Sequence, residues 1–215
     1  EWRDMTSQQK QAYISGVQAL RQAASTQGLR SRYDDFVNLH AQAISIVHST
    51  PMFLPWHRIL LVLYITTIRM IRNDNSIVMP YWDEGYDGQD PLSNNQVFGS
   101  GPLQFGTRSM GDGCVHDGFV SGWTSVTPSV GCLTRNYNVG FTWYDSAIMN
   151  SVVATTSNSF HEWSNNLERG QHGKVHAEFG GGGTMTYTSY SSNDAAFYLH
   201  HAAVDWYWWR NQQAR

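Results

Sequence analysis

Helix-forming sequence lies at both ends of this chain, and a long stretch of turn-forming sequence separates them. From about residue 73 to residue 159, short pieces alternate with Gly, Pro, Asn and Asp, as in DGQDP, GSGP and GDG, which is typical of turns. The flanking stretches have helix-forming composition or apolar residues at helical spacing. Helices are predicted over residues 8–27, 33–48, 56–72, 160–178 and 194–213. The expected fold is mainly α, with a four-helix-bundle core, a loop-rich insert and few short strands.

No repeat, charge block or proline-rich linker divides the sequence, so residues 1–215 are expected to form a single domain. Charged residues make up 14% and hydrophobic residues 41%, which favours packing over disorder. Fourteen basic and 17 acidic residues give a net charge of −3, which lacks the basic field that nucleic-acid binding requires. The longest apolar run, 59–68, is about half of the roughly 20 residues that a membrane span needs. We therefore expect neither a nucleic-acid partner nor a membrane span.

The two cysteines, Cys114 and Cys132, lie in a stretch rich in Gly, Ser and Thr. Their number is too small for a disulfide scaffold, and their spacing does not match a zinc or thiol-redox motif. One disulfide is the preferred interpretation, and two free buried thiols are the alternative. The chain starts at Glu1 without a recognisable leader, so either a leader was removed or the chain was trimmed. We expect a secreted protein or one from an oxidising compartment.

Nine histidines stand in this sequence, and their spacing is more informative than their number. His172 and His176 are four residues apart, which places both rings on one helical face where they can share a metal ion. This pair alone is weak evidence, because such pairs also occur on solvated helices. Three more histidines follow one another at spacings of eight and nine residues, and a further pair starts an aromatic helix. These are His40, His48, His57, His200 and His201.

The composition of these clusters narrows the choice of metal. Dinuclear iron and zinc sites rely on bridging carboxylates, whereas these clusters are nearly pure imidazole. Glu168 is the only acid close to the His172–His176 pair on its N-terminal side. Neutral nitrogen ligands suit Cu(I), which accepts three imidazoles and an open position for a gas molecule. Two such copper ions facing each other could bind O2.

Several segments resemble the coupled binuclear copper proteins, which are the tyrosinases, catechol oxidases and molluscan haemocyanins. The similarity is greatest to the short fungal-type phenoloxidases and runs from about residue 32 to residue 212. The segments are RYDDFVNLH, HSTPMFLPWHR, PYWD, GDGCVHDGF, GCLTRNYN, LERGQHGKVHAEFGG and NDAAFYLHHAAVD. The resemblance implies a helical bundle that holds two copper ions and uses O2.

The resemblance also implies a ligand set. The first copper would be held by His40, His48 and His57, and the second by His172, His176 and His201. In the family's paired-histidine motif the second histidine binds the metal, so the resemblance implies that His200 is an adjacent structural residue. Helical geometry agrees, because neighbours point about 100° apart. His116 and His161 match no ligand position, so they are expected to be ordinary surface or core histidines.

Two residues near the second copper bear on the choice of substrate. Many phenol-hydroxylating members have Asn directly after the first ligand of this copper, where this chain has Gly173. With a preceding Glu, that Asn is thought to hold a water that deprotonates the phenol. Glu168 is present and is the candidate catalytic base, although an acid one turn before His172 could also simply cap or solvate the helix. We therefore favour oxidation of catechols over hydroxylation of phenols.

Further residues are expected to line or support the site. Candidate substrate contacts are Gly173, Ala177, Met185 and Phe197, with ordinary packing an equal alternative for Met185. Arg58 and Asp205 are candidates for a salt bridge that ties the two copper-bearing halves together, and two separate solvated charges are the alternative.

The family pattern is broken at several other positions. The usual Glu eight residues after the third ligand is Ile65, and the usual Arg of the HHxxxD segment is Trp206. We hypothesise that these two positions adjoin and were exchanged together. The proline of the DPxF motif is Ala195, and Ile46 replaces the cysteine that crosslinks to a ligand in many members, so no crosslink is expected.

The resemblance implies a copper oxidoreductase that converts o-diphenols to o-quinones and reduces O2 to water, with weaker monooxygenase activity on monophenols. The alternative is a haemocyanin-like protein that binds O2 reversibly behind a blocked cavity. Only about 14 residues follow His201, so we expect no covering domain and favour the enzyme. The expected partners are O2 and a small phenolic or catecholic molecule. The natural substrate and the oligomeric state cannot be read from the sequence.

Overall fold

Helices dominate the computed structural model, which describes residues 1–88, 96–137, 143–157 and 159–215. The only regular strands among these residues are β1, Thr124–Ser125, and β2, Gly131–Cys132, which pair antiparallel. The prediction of a mainly α fold with few short strands is therefore confirmed. The helices are α1 Ser7–Gln22, α2 Arg32–Val47, α3 Phe53–Arg72, α4 Ser146–Ala154, α5 Phe160–Leu167, α6 Gly173–Gly180 and α7 Ala196–Ala214.

Local sequence explains where most helices begin. The Thr6 hydroxyl accepts a hydrogen bond from the backbone of Gln9, and the Gln9 side chain accepts one from the backbone of Thr6, which forms a capping box for α1. Ser31 caps α2 through the amide of Asp34, and Ser159 forms a second capping box with Glu162 at the start of α5. Each cap satisfies amide groups that would otherwise lack partners at a helix start.

Three of the helical boundaries differ from the prediction. Helix α1 ends at Gln22, five residues before the predicted end. Helix α3 begins at Phe53, three residues earlier than expected, because Pro55 falls in the first turn, where a missing amide donor costs nothing. The predicted helix 160–178 is interrupted by a π-helical turn, Glu168–His172, in which Gly170 has φ −82° and ψ −109°. This turn inserts an extra residue at the start of the HxxxH segment.

The insert is less irregular than predicted, because it contains helix α4. Asp145 caps this helix by accepting a hydrogen bond from the amide of Ile148. Met149 and Val153 are its buried residues, and they pack into a cluster with Trp163 and Tyr207. An apolar face of two residues on a nine-residue helix leaves only a weak periodic signal, which explains why the sequence pattern missed it.

Covalent and ionic links fasten the insert. Cys114 and Cys132 form a disulfide, as predicted. Arg135 and Asp194 form a fully buried ion pair, with Arg135 Nε 2.7 Å from an Asp194 carboxylate oxygen. Because Asp194 lies directly before α7, this pair connects the insert to the helix that carries His200 and His201.

Aromatic residues fill the interior between α1, α2, α3 and α7. Tyr64 on α3 stacks on Tyr198 on α7, with ring centroids 3.7 Å apart, and Tyr33 on α2 meets both rings edge to face. Each buried aromatic residue removes a large apolar area from water, and the edge-to-face pairs add specificity. The core therefore locks α2, α3 and α7 together, and these are three of the elements that bear histidines.

Helix α3 is long and apolar enough to cross a membrane by length and composition alone. The core helix of a globular protein passes the same test, and α3 packs through Leu60, Tyr64 and Ile68 against the core. The helix therefore provides no clear membrane span.

Candidate metal centre

Three histidines from the first half of the chain converge on one point. His40 lies on α2, His48 directly follows α2, and His57 lies on α3. Their nearest ring nitrogens all lie within 4.8 Å of one another. His40 and His57 are 0% and 2% exposed, so their polar rings have been withdrawn from water.

A second group forms from the second half of the chain. His172 ends the π-helical turn, His176 lies on α6, and both His200 and His201 lie on α7. The nearest ring nitrogens of these four residues also lie within 4.8 Å of one another. The two groups adjoin, because the rings of His57 and His201 stack with centroids 4.2 Å apart. The structure thus brings together all six histidines predicted as ligands, and it adds His200.

Backbone carbonyl groups orient several of these rings. The Nδ1 atom of His57 lies 2.7 Å from the carbonyl oxygen of Phe53, and that of His172 lies 2.9 Å from the carbonyl oxygen of Glu168. A carbonyl oxygen can only accept a hydrogen bond, so Nδ1 must carry the ring proton. Nε2 is then left with a free lone pair, which is the form that binds a metal.

Several buried ring nitrogens have no hydrogen-bond partner, which indicates a binding site for a cation. Five histidines have a buried Nε2 atom without any hydrogen-bond partner: His40, His48, His57, His172 and His200. A buried polar atom without a partner costs about 1–3 kcal/mol, and five in two adjoining groups need an explanation. The Nε2 atoms of His176 and His201 also face each other, 3.4 Å apart. Neutral nitrogen donors without carboxylates in the two clusters fit copper better than magnesium or calcium.

Burial keeps the rings uncharged. Burial lowers the pKa of His40 to about 3, with smaller contributions from His48 and His176. Burial also lowers the pKa of His57, His172, His176 and His201 well below the usual value, and the neighbouring histidines lower it further. Neutral imidazole is the form that binds copper.

Glu168, the candidate base, lies at the junction of the two groups. One of its carboxylate oxygens is 2.9 Å from His48 Nδ1, and the amide of Ser49 donates to both of its oxygens at 2.9 Å. The side chain is 7% exposed. The carboxylate therefore already accepts hydrogen bonds from groups that do not belong to a substrate.

The candidate substrate contacts divide into two sets. Gly173 is half-buried and Ala177 is exposed, and each directly follows a histidine of the second group. Met185 and Phe197 are 0% exposed. Met185 holds His176 through its carbonyl oxygen, 2.7 Å from Nδ1, and the ring of Phe197 packs 4.2 Å from that of His201.

Arg58 and Asp205 form an ion pair between α3 and α7, with Arg58 Nε 2.5 Å from Asp205 Oδ1. The guanidinium group also lies 3.8 Å from the ring of Trp208. About a third of each charged side chain is exposed. The pair therefore links the helices that carry His57 and His201, at the edge of the site.

The two apolar departures from the family pattern lie close together. Ile65 and Trp206 line one surface pocket of about 430 Å³. Tyr81 stacks on Trp206 with ring centroids 4.9 Å apart. If the Glu and Arg of the family pattern were replaced together, the two positions must be neighbours, and the shared pocket meets that requirement.

Sequence reasoning missed two residues of the site. Glu84 is fully buried, forms a hydrogen bond with His200 Nδ1 and accepts one from Gln171 Nε2. The ring of Phe53 lies 4.8 Å from the rings of both His57 and His172. Glu84 directly follows the PYWD segment, and this position was the only sequence signal for it. Its hydrogen-bond partners, Gln171 and His200, lie 87 and 116 residues away in the chain.

The fold and the site define a helical protein with two adjoining histidine clusters and several buried nitrogens free to bind metal. Residues 30–214 match the family model for the common central domain of tyrosinase. The chain therefore belongs to the tyrosinase family of copper oxidoreductases, which implies a binuclear copper site.

Named relatives agree with this assignment. Tyrosinase ustQ of Aspergillus flavus is 31% identical over 99% of this chain and 63% of its own length. The tyrosinase of Streptomyces antibioticus is 30% identical over 95% of this chain and 78% of its own length. The chain spans 58% to 63% of ustQ and of the tyrosinase-like proteins of Diaporthe leptostromiformis.

Solved structures share the fold. A polyphenol oxidase from Thermothelomyces thermophila, in a variant with a glycine replaced by asparagine, superposes with a TM-score of 0.82 at 20% identity. The match covers all of this chain and 69% of that one. An aurone synthase, also a polyphenol oxidase, gives a TM-score of 0.60 at 15% identity over all of this chain and 70% of that one.

Proposed function

We propose that this chain binds two copper ions and oxidises catechols to o-quinones, with O2 reduced to water. The observation that carries the proposal is the convergence of buried, uncharged ring nitrogens with no partner of their own. We assign His40, His48 and His57 to the first copper. The second copper is assigned to His172, His176 and His201.

Copper bound at these residues would supply the binding of O2 and the acceptance of electrons from the substrate. Two catechols each lose two electrons and two protons, and one O2 takes up the four electrons and four protons to give two waters. The chain contributes the orientation of the rings: the carbonyl groups of Phe53, Glu168 and Met185 fix Nδ1 of three histidines. Fixed rings keep the lone pairs directed at the metal without reorganisation.

Catechols are the proposed substrates because phenol hydroxylation needs a base that is poorly placed here. A phenol has a pKa near 10 and needs help to lose its proton at neutral pH. Glu168 is the candidate for that base, but its two oxygens already accept hydrogen bonds from His48 and Ser49. Gly173 has no side-chain amide that could hold a water beside Glu168. Monophenol hydroxylation is therefore proposed as the weaker activity.

The substrate is proposed to enter beside α6. Gly173 and Ala177 carry little or no side chain, and each directly follows one of the proposed ligands of the second copper. A Cβ atom at Gly173 would lie 3.2 Å from the carbonyl oxygen of Glu168, which is tight packing. Met185 and Phe197 are buried, and we propose that they support the ligands His176 and His201 rather than contact the substrate.

The disulfide supports a location in an oxidising or extracellular environment. We propose that the protein is secreted. Outside the cell, no thiol-reducing system would break the disulfide between Cys114 and Cys132.

Copper loading and oxygen uptake test the proposed function together. The wild-type chain is expected to retain two copper ions and to consume O2 faster with catechol and 4-methylcatechol than with tyrosine, tyramine or o-aminophenol. His176→Gln should lower the copper content, whereas His161→Gln, an exposed histidine outside both groups, should not. Fewer than one copper per chain would overturn the metal assignment. Reversible O2 binding without catechol turnover would indicate an oxygen carrier.

A further inference from the structure

A buried carboxylate lies behind the second histidine group. Glu84 belongs to the segment that follows α3, and its side chain is 0% exposed. One of its oxygens forms a hydrogen bond with His200 Nδ1. The other accepts a hydrogen bond from Gln171 Nε2 at 3.3 Å. Both oxygens are therefore occupied, which is required of a carboxylate in a dry interior.

Both partners of Glu84 are chain neighbours of proposed copper ligands. Gln171 directly precedes His172 in the π-helical turn, and His200 directly precedes His201 on α7. These ligands belong to separate elements, and their relative position decides whether they can share one ion. A single carboxylate thus joins the two segments at the residues next to the ligands.

The backbone around Glu84 is itself anchored. The carbonyl oxygen of Glu84 accepts a hydrogen bond from Trp143 Nε1 at 2.7 Å, and the amide of Gly85 donates to the hydroxyl of Tyr207 at 3.2 Å. Trp143 and Tyr207 are 2% and 1% exposed. The carboxylate therefore sits on a fixed support.

The ring that Glu84 holds packs directly on two proposed ligands. His200 stacks on His172 with ring centroids 5.2 Å apart and an interplanar angle of 18°. It meets His176 edge to face at 4.8 Å. Rotation of the His200 ring would therefore displace both neighbours. Within the described part of the chain, the Glu84 side chain forms its hydrogen bonds with Gln171 and His200 and none with the first group, His40, His48 and His57.

We infer that Glu84 is a positioning residue for the second copper, acting through His200 and Gln171. The inference rests on the proposed copper assignment and extends it beyond the ligands themselves. Outer partners of this kind change metal affinity by about 10- to 100-fold when they are removed. The first copper should be insensitive to Glu84.

Replacement of Glu84 by Gln is the first test. The new amide can still accept from His200, but its NH2 group then faces the NH2 group of Gln171, so one hydrogen bond is lost. With two copper ions loaded, one ion should pass to a chelator about 10- to 100-fold faster than in the wild type. The other ion should be released at the wild-type rate. The control is Asp83→Asn, at the adjacent carboxylate, which accepts a hydrogen bond from the backbone amide of Tyr86. This change should leave both rates unchanged.

A residue exchange separates positioning from general destabilisation. In the double variant Glu84→Gln with Gln171→Glu, the amide of residue 84 can donate to the carboxylate of residue 171. That carboxylate can still accept the amide of Tyr144, which lies 2.9 Å from Gln171 Oε1. The slow release of the second copper should then be restored. Equal acceleration of both ions in Glu84→Gln, or no restoration in the exchange, would overturn the inference.

A measurement on the metal-free protein keeps this test separate from the copper assignment. Nuclear magnetic resonance of the wild type should show a protected, hydrogen-bonded Nδ1 proton on His200, identified by its loss in His200→Phe. The resonance should shift in Glu84→Gln. Its absence from the wild type would overturn the role of Glu84 whatever the copper content. A normal resonance in a protein that binds no copper would instead overturn the proposed function.

Discussion

The carboxylate of Glu168 lies 2.9 Å from His48 Nδ1, although 120 residues separate the two in the chain. The backbone carbonyl oxygen of the same residue lies 2.9 Å from Nδ1 of His172. Glu168 therefore orients one histidine of each group. The π-helical turn makes this possible, because the carbonyl group at 168 accepts the amide of Gly173 five residues on and still meets the His172 ring.

Replacement of Glu168 by Gln should weaken copper binding. The Gln oxygen in the Oε1 position could still accept from His48 and Ser49, but an NH2 group replaces Oε2, which accepts from the Ser49 amide in the wild type. Two donors then face each other, so the contact that holds this side chain beside His48 is weakened. The affinity for one copper is expected to fall by about 10- to 100-fold, measured by titration with a competing chelator. His172 should stay in place, because its partner is a backbone carbonyl.

A control for this change is Glu162→Gln, an exposed glutamate six residues away that caps α5. It should leave copper affinity unchanged. If Glu168 acts instead as the base for phenols, Glu168→Gln would keep both copper ions, and only the ratio of tyramine to catechol turnover would fall. That pattern would contradict the positioning role.

Much of this architecture could be predicted because its signals are local. Helix-forming composition predicted α1 and apolar spacing predicted α2 to within a few residues, apart from the C-terminal end of α1 at Gln22. The spacing of His172 and His176 places both rings on one face without knowledge of the rest of the fold. Convergence of the other histidines followed from the family resemblance rather than from periodicity.

The parts that could not be predicted depend on contacts between distant segments. Glu84 looks like a loop residue in the sequence, and only the fold brings it under His200. The π-helical turn at 168–172 follows from the geometry of Gly170 and from the two roles of Glu168. Helical periodicity cannot indicate an inserted residue, so the interruption of the predicted helix was invisible.

The metal-free protein should lose stability as the pH falls below about 6.5. Burial lowers the pKa of His40 and of His200 to about 3, so below 6.5 the unfolded chain binds protons that the folded chain does not. Each such ring removes about 2 kcal/mol of unfolding free energy between pH 6.5 and 5. Four further buried rings shift in the same direction.

Glu84 has the opposite effect on stability. Burial raises its pKa, so the unfolding free energy that it contributes is lost as the pH rises. One carboxyl group cannot offset six rings, so the net slope should favour neutral pH. Urea unfolding at pH 7.5, 6.5 and 5.5 measures the slope. A constant unfolding free energy over this range would contradict the burial of neutral rings.

Gly181 and Gly182 form a matched pair for a test of backbone packing after α6. Both have positive φ, +52° and +86°, so alanine is strained at either position. A Cβ atom at Gly181 would lie 1.8 Å from the carbonyl oxygen of Asn136, whereas one at Gly182 meets nothing within 4 Å. Gly182→Ala should therefore cost about 1 kcal/mol.

Gly181→Ala should cost several times more, because backbone atoms must move. The affected segment leads to Met185, whose carbonyl group holds His176, so copper affinity should fall as well. Urea unfolding and copper titration of both variants measure the difference. Equal costs at the two glycines would show that the contact with Asn136 is not rigid.

Ile65 and Trp206 test whether two positions of the pocket between α3 and α7 depend on each other. Ile65 is 6% exposed and lines a mostly apolar pocket in which Arg58 is already paired with Asp205. Ile65→Glu therefore buries a charge without a partner of its own and should cost about 3 kcal/mol or more. Adding Trp206→Arg supplies a partner from across the same pocket, and the double variant should recover about 1–3 kcal/mol relative to the sum of the single changes. Leu63→Glu, on the exposed side of α3 at 48% exposure, should cost little. Additive losses in a double-mutant cycle, or a neutral Ile65→Glu, would show that the two positions were not exchanged as a pair.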